Sequence, residues 1–417
     1  MKVLHVVQRY APAIGGSELV FQQLSERLAA RGYQVTVWTT NAREIEYFWD
    51  RRAAAFPPGW EVVNGIPVWR VAVHHLGPGD QGYLRLRWLA LGLARLPGTL
   101  PVLRGLASLT PWLPALAARA LQEREPFDLV HAGCVPYDAL LLWAERLARR
   151  LGVPFLVTPF VHFGRPEDRL LRRHYTLPHQ IDLLRRADAV FVQTAYEGEA
   201  LAALGVPRRA IRRGGAGIEP GALAGGDGAG FRARHGLTGP LVVFLGAALP
   251  EKGALDLLAA TRLLRQRGCP LTLVLAGKRT AAFDQALAAL PPAERECCRV
   301  LGPLSEAEKR DLLAAGDLLA LPSQTESFGI VYCEAWDAGL PVVAAAVGAT
   351  SEVVEDRITG RLVPFGDIPA LAGVLAELLT DRAQARRLAA TGRVRARTRH
   401  TWEAVVDRVE AVYREVA

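Results

Sequence analysis

Two carboxylates separated by seven residues, Glu326 and Glu334, stand in the stretch Leu318 to Gly339, LLALPSQTESFGIVYCEAWDAG. An apolar run, Leu318 to Leu321, gives way to a polar turn, Pro322 to Thr325, and then to an apolar-periodic segment from about Phe328. The pattern predicts strand, loop and helix. Glu326 would lie in the loop and Glu334 about five residues into the helix, roughly 7.5 Å along its axis. The first backbone N–H groups of such a helix, here those of Phe328, Gly329 and Ile330, lack intrahelical partners and carry the positive end of the dipole. That makes the helix mouth a site for anions, phosphates above all. Spacing alone would equally suit a solvated loop charge and a surface residue. Gly329, however, removes bulk where a ligand would approach the backbone, and Ala335 and Trp336 give Glu334 apolar company in which a carboxylate needs a partner.

Two further places could do chemistry. In PAIGGSE, Gly15 and Gly16 precede an amphipathic helix predicted from about Ser17 to Arg31, where backbone can come close to phosphates. The loop is not the G-x-G-x-x-G fingerprint, which counts against a dinucleotide; a plain tight turn is the alternative. His162, in VTPFVHFG, lies a few residues past a predicted strand, Pro154 to Thr158. A lone histidine is more often structural than catalytic, but ligands of parallel sheets gather at the carboxyl ends of strands.

These residues require a scaffold of alternating strands and helices. Strands are predicted at Lys2–Gln8, Gln34–Thr39, Phe127–His131, Pro154–Thr158 and Ala189–Gln193, with helices between them, and a hairpin turning at Asn64-Gly65 within Trp60 to Val73. Gly214 to Gly230, GGAGIEPGALAGGDGAG, has the composition of a linker or hinge. The pattern then repeats from Leu241 to Leu245 and ends in helices at Ile368–Leu379, Arg382–Arg397 and Trp402–Val416. A chain of 417 residues, half hydrophobic and 22% charged, is long enough for two such domains. The expected division is 1–217, 218–396 and a terminal helix within 397–417.

The net charge of +8 comes almost wholly from arginine, since lysine occurs only at Lys2, Lys252, Lys278 and Lys309. That surplus suits phosphorylated ligands or an anionic membrane. No zinc-ligand spacing or aromatic RNA-binding signature accompanies it, so no nucleic-acid partner is expected. Five cysteines without framework spacing point to buried thiols in a reducing compartment. Met1 leads straight into a strand, and a cytoplasmic setting without a leader is expected. Residues 83–122 form the odd segment. Gln81 to Gln122 contains no acidic residue but five arginines, Arg85, Arg87, Arg95, Arg104 and Arg119, among leucines, Trp88 and Trp112, with prolines breaking it into short helices. No uninterrupted span of ~18 apolar residues is present, so no crossing is predicted. Peripheral contact with an anionic membrane face and helices packed on their own domain with outward arginines are both compatible with the composition.

The segments GGSE, TPFVHFG, Gly217-Ile218, PEKG (Pro250 to Gly253), LPSQTESFGIVYCEAW and GLPVVAAAVGATSEVV occur in an order that resembles the retaining glycosyltransferases of family 4 over essentially the whole chain. The resemblance implies an α/β architecture, the GT-B fold, in which two Rossmann-like doubly wound domains face each other across a cleft. It implies a nucleotide-sugar donor on the second domain and a hydroxyl acceptor (glycan, lipid-linked sugar or small metabolite) on the first. By the same resemblance Glu334 would bind ribose hydroxyls, while Glu326 and the backbone of Phe328, Gly329 and Ile330 hold the sugar. Lys252 would neutralise the leaving diphosphate, approached by Gly16 beside Gly15 and by Gly246, and His162 would sit near the reaction centre. Lysine and free helix N–H groups can stabilise that charge unaided, so no catalytic metal or other cofactor is expected. The two-carboxylate scheme of glycosidases does not transfer. One departure stands out: the family pattern has arginine after Gly246, and here Ala247 follows. Losing such a donor should cost about 2 to 4 kcal/mol of leaving-group stabilisation. Lys278 or Arg279, in LAGKRT, could restore the charge; otherwise the chain would be a nucleotide-sugar-binding protein of impaired activity.

Overall fold

The computed structural model describes residues 1–76, 81–165 and 167–417. The chain divides into two compact units: Met1–His162 with Asp168–Gly215 and Trp402–Ala417, and Phe163–Glu167 with Ala216–Thr401.

The first unit is built on an eight-stranded sheet of β1 (Lys2–Val7), β2 (Gln34–Thr40), β3 (Gly59–Val63), β4 (Ile66–Val71), β5 (Leu129–Gly133), β6 (Phe155–Thr158), β7 (Ala189–Val192) and β8 (Ile211–Arg213), in the order β3-β4-β2-β1-β5-β6-β7-β8. All neighbours are parallel except β3 and β4, the expected hairpin, which turns on Asn64 and Gly65, both at positive φ. The strands are short apolar runs because helices cover both faces; β5, β6 and β7 are buried throughout. The terminal helix, Trp402–Val416, packs on the helix Gly16–Ala30, where Arg31 binds Glu403, Asp407 and Glu410.

The second unit is a six-stranded, wholly parallel sheet of β9 (Leu241–Leu245), β10 (Thr272–Ala276), β11 (Cys298–Leu301), β12 (Leu318–Leu321), β13 (Val342–Ala345) and β14 (Arg361–Val363). Its order, β11-β10-β9-β12-β13-β14, is the doubly wound one. The direction of winding reverses between β9 and β12, and the loops leaving their carboxyl ends diverge there, opening the crevice in which such sheets bind ligands.

The junction of the two units, Gly215 to Ala216, does fall within Gly214 to Gly230, but most of the stretch is packed as part of the second unit. Residues 214–218 are buried, Ile218 N–H bonds the His400 carbonyl at 2.9 Å, and Gly221 N–H bonds the buried carboxylate of Asp337, which Arg397 neutralises at 2.7 Å. A Cβ on Gly226 or Gly228 would lie 2.4 or 2.5 Å from the Arg310 or Ala314 carbonyl oxygen. The glycines are there for close backbone packing on the helix Glu306–Ala315. The thiols need one correction as well: Cys134, Cys297, Cys298 and Cys333 are buried, but Cys269 lies exposed in the turn that ends helix Ala254–Gln266.

Residues 81–122 form three short helices, Gly82–Leu93, Leu100–Ala107 and Pro114–Gln122, and among the described residues no helix is long and apolar enough to cross a membrane. Their arginines do not all snorkel outward. Arg87 is buried and donates to the carbonyls of Pro136 and His174, at 2.9 and 3.0 Å, and to Asp138. Arg104 pairs with Asp182 at 2.5 Å, and Arg119 lies about 5 Å from the ring centres of Trp38, Trp60 and Trp69.

Candidate active site

The loop that leaves β9 runs Gly246, Ala247, Ala248, Leu249, makes a single tight turn at Pro250–Lys252, and enters helix Ala254–Gln266 through Gly253. The loop that leaves β12 passes directly beneath that turn. Gly253 has φ +74°, and a Cβ there would lie 2.3 Å from the Pro322 carbonyl oxygen, so only glycine lets the loops approach so closely. Gln324 N–H donates to the Glu251 carbonyl at 2.8 Å and ties them together. The consequence is an ion pair at the switch point: Lys252 Nζ lies 2.7 Å from Glu326 Oε1, both largely buried.

The helix after Glu326 starts at Ile330, two residues later than the sequence suggests, and runs to Ala338. Gly329 is its N-cap in the left-handed conformation, with φ +85°, so it cannot extend the helix backwards, and no side chain caps the end. Phe328 is buried with its ring against His400. The free N–H groups of the helix mouth therefore belong to Ile330 and Val331 rather than to Phe328.

Glu334, one turn into this helix, is not alone. Lys309, on helix Glu306–Ala315, reaches Glu334 Oε1 at 2.8 Å and Glu306 at 2.9 Å. Burial works against the charge on Lys309, but the two carboxylates outweigh it and hold the ammonium above the ordinary lysine range. One Glu334 oxygen is thus engaged by a fixed cation, and the carboxylate is held in one orientation. The sequence signal for Lys309 was no more than its place among four lysines, on a helix whose capping box, Ser305 with Glu308, reads as an exposed start.

The loops after β9 and β10 are zipped together. Gly246 N–H donates to Ala276 O and Ala248 N–H to Lys278 O, each at 2.9 Å, and Thr280 Oγ1 donates to Ala248 O at 2.6 Å. A Cβ on Gly277 would sit 2.0 Å from the Gly246 carbonyl oxygen. Lys278 therefore stands beside Ala247 along the loop; both Lys278 and Arg279 are exposed, and Arg279 is paired with Asp284 at 2.8 Å.

Gly15, Gly16 and His162 belong to the first unit. Gly16 opens helix Gly16–Ala30, and a Cβ on it would meet nothing within 4 Å; Gly15 is constrained from inside, since a Cβ there would lie 2.2 Å from the Glu18 carboxylate, itself paired with Arg9 at 2.6 Å. His162 stands four residues past the end of β6, half-buried, with its ring 5.4 Å from that of Tyr175. Its loop is pinned by a residue that no sequence pattern marks: the buried Glu197 carboxylate accepts from Val161 N–H at 2.9 Å and from Gln193 N–H at 2.6 Å.

The second unit thus concentrates a lysine, an uncapped helix mouth and two oriented carboxylates at one switch point. Cation and N–H groups suit a departing phosphate; carboxylates, as acceptors, suit hydroxyls. Among the described residues no group of three or more His, Cys, Asp or Glu is placed to hold a metal.

The chain as a whole has relatives among known proteins. Residues 231–395 match the family described as glycosyl transferases group 1, and residues 15–214 match the glycosyl transferase 4-like domain. The chain is 29% identical to the glycogen synthase of Mycobacterium tuberculosis, over 99% of this chain and 94% of that one. It is 27% identical to the D-inositol 3-phosphate glycosyltransferase of Saccharomonospora viridis, over 96% and 89%. Among solved structures, Anabaena Alr3699/HepE in complex with UDP and glucose superposes with a TM-score of 0.73 at 20% identity, covering both chains fully. The sucrose-phosphate synthase of Thermosynechococcus elongatus gives 0.72 at 22%, covering 100% of this chain and 99% of that one.

Proposed function

We propose a division of labour for the residues of this chain, which belongs to the family 4 glycosyltransferases, enzymes with the GT-B fold that move a sugar from a nucleotide donor to an acceptor hydroxyl with retention. The second unit holds the donor. Glu334, oriented by Lys309, accepts hydrogen bonds from the ribose hydroxyls. Lys252 and the N–H groups at the mouth of helix Ile330–Ala338 face the diphosphate, where negative charge grows as the glycosidic bond to phosphate breaks. Glu326, held by Lys252, accepts from sugar hydroxyls. Gly246 leaves space for the phosphates, and Lys278, beside Ala247, supplies the positive charge that the family arginine would have brought. On the first unit, Gly16 gives backbone access to the phosphates and His162 meets the sugar near the reacting carbon.

In a front-face substitution the departing phosphate oxygen takes the acceptor's proton on the face from which it leaves, so the chain needs no general base of its own. Its task is to hold the pair in register and to stabilise the leaving oxygen, which is electrostatic preorganisation rather than acid–base chemistry. The observation that carries this reading is the 2.7 Å pair of Lys252 and Glu326 at the switch point beside an uncapped helix.

The test is to incubate the protein with a panel of nucleotide sugars, with and without hydroxyl acceptors, and to follow nucleoside diphosphate release. UDP-sugars come first, because the similar Alr3699/HepE was solved with UDP and with UDP-glucose. Release that depends on Lys252 supports the reading; silence across the panel with acceptors present sinks it. Lys278→Ala should lower turnover and donor affinity, and unchanged values for that variant would remove Lys278 from the site.

A further inference from the structure

Helix Gly82–Leu93 is apolar on both of its faces. The inner face is accounted for: Ala90 and Leu91 pack with Leu103 and Leu177, Tyr83 is buried, and Arg87 is spent on the backbone and Asp138. The outer face is not. Leu84, Arg85, Trp88, Leu89 and Gly92 are all exposed, and Arg95 and Leu96 continue the same stripe through the turn that follows. Their spacing is that of one helical face. Trp88 is 60% exposed, Leu89 49% and Leu96 58%, and Val102 on the next helix is 54% exposed. Large apolar side chains in such a row are not the scattered exposures any protein surface shows.

The charge on the outer face of helix Gly82–Leu93 and the turn after it is of one sign. Arg85 and Arg95 are exposed, make no ion pair among the described residues, and stand in a stretch without an acidic residue from Gln81 to Gln122. The helix Arg169–His174 adjoins through the ring contact of His174 with Trp88 and adds an exposed Arg169 and Leu170. A protein partner of ordinary composition would answer the leucines and tryptophan but not two unpaired arginines among them. An anionic lipid surface answers both, because acyl chains take the apolar side chains while phosphate headgroups take the guanidinium groups.

We propose that the outer face of helix Gly82–Leu93, with Arg95 and Leu96, is a membrane-docking surface for anionic phospholipid. The helix lies in the plane of the interface, Trp88 and Leu89 enter the headgroup boundary, and Arg85 and Arg95 bind lipid phosphate. Arg87 takes no part, since it holds the helix to its own unit. This surface stands independently of the donor site.

The test is co-sedimentation of the full chain with vesicles of phosphatidylcholine alone and of equimolar phosphatidylcholine and phosphatidylglycerol. Binding is expected to the anionic vesicles only and to weaken as salt is raised. Arg85→Gln and Arg95→Gln should each weaken it about fivefold, and Trp88→Ser should weaken it without lowering the melting temperature. Turnover on a water-soluble acceptor should stay as in the parent. Should Trp88→Ser melt lower, the two arginine variants, whose side chains are exposed and unpaired, decide the matter alone. Absence of vesicle binding, equal binding to both vesicle types, or binding that neither arginine variant alters overturns the proposal. Self-association in solution that Trp88→Ser abolishes, with no vesicle binding, would assign the face to a second copy of the chain and overturns it equally.

Discussion

Lys252 and Glu326 illustrate how much one contact settles. A lysine at an anion site is useful only if it is aimed, and a carboxylate 2.7 Å away fixes its direction while leaving two of its N–H donors for a ligand. Removing the ammonium should therefore act on the transition state. Lys252→Ala is expected to lower kcat by about 10²–10³ with a smaller change in donor KM, as read by steady-state kinetics of nucleoside diphosphate release. Lys309 predicts the opposite split. It touches Glu334 rather than the leaving group, so Lys309→Met should raise donor KM on the order of tenfold and leave kcat within a few fold. If kcat collapses instead, Glu334 does more than hold ribose. Glu326, Glu334, Gly329 and Lys252 were all visible in the sequence as residue types in a particular order. Lys309 and Glu197 were not, because each acts on a group far along the chain, and an exposed-looking lysine or a glutamate in a helix's first turn carries no mark of a tertiary partner.

The strands and helices were legible wherever the hydrophobic period was long and clean, and least so where glycine had two readings. Gly214 to Gly230 has the composition of a linker and does hold the junction of the two units, yet Gly226 and Gly228 allow backbone to lie against Arg310 and Ala314, and Asp337 fixes the chain by its N–H groups. Composition reports the missing Cβ but not what occupies its place. Helix Ile330–Ala338 starts two residues later than its period suggests for a related reason: Phe328 fits an apolar helix period, but its ring lies against His400, and Gly329, at the N-cap, has a left-handed conformation that stops the helix from extending backwards. The clearest elementwise prediction concerns the junction of two loops. Gly253→Ala adds a Cβ at φ +74° and 2.3 Å from a backbone oxygen that cannot swing away. It should destabilise the protein by roughly 1–3 kcal/mol in urea unfolding and displace Lys252, so that turnover falls as well. A Gly253→Ala protein with parental stability and turnover would mean that the two loops are not held against each other as described.

Acid should reach the whole molecule through a buried cluster in the first unit, where the two ends of the chain meet. Tyr413, on the terminal helix, places its hydroxyl between His5 on β1 and His131 on β5, bonding His5 Nε2 at 3.0 Å and His131 Nδ1. Ser25 donates to the Phe21 carbonyl, so it accepts from His5 Nδ1 at 2.8 Å, and Thr158 Oγ1 lies 2.7 Å from His131 Nε2. One arrangement of protons satisfies all these contacts with both imidazoles neutral: Tyr413 donates to His5 Nε2, and His131 Nδ1–H donates to Tyr413. A further proton on either ring would turn an acceptor into a second donor. Burial accordingly pushes His5 down to about 3, and lowers His131 well below its ordinary value, with His5 adding to the effect. His174 is lowered too, by burial and then by Arg87. In the unfolded chain these rings titrate near ~6.5. As pH falls from there toward 3, the unfolded chain binds protons that the folded chain refuses, so stability is full above about 6.5 and declines below it. Carboxylates stabilised in the fold, such as Asp138 and Glu410, have lowered values and act only further into acid, which leaves the window from about 6.5 to 5 to the histidines. Urea unfolding across that window should show stability rising with pH, and His5→Gln should flatten the slope by up to about 1.4 kcal/mol per pH unit, whatever its effect at neutral pH. An unchanged slope would mean that the ring accepts a proton inside the fold and that the neutral network is drawn wrongly.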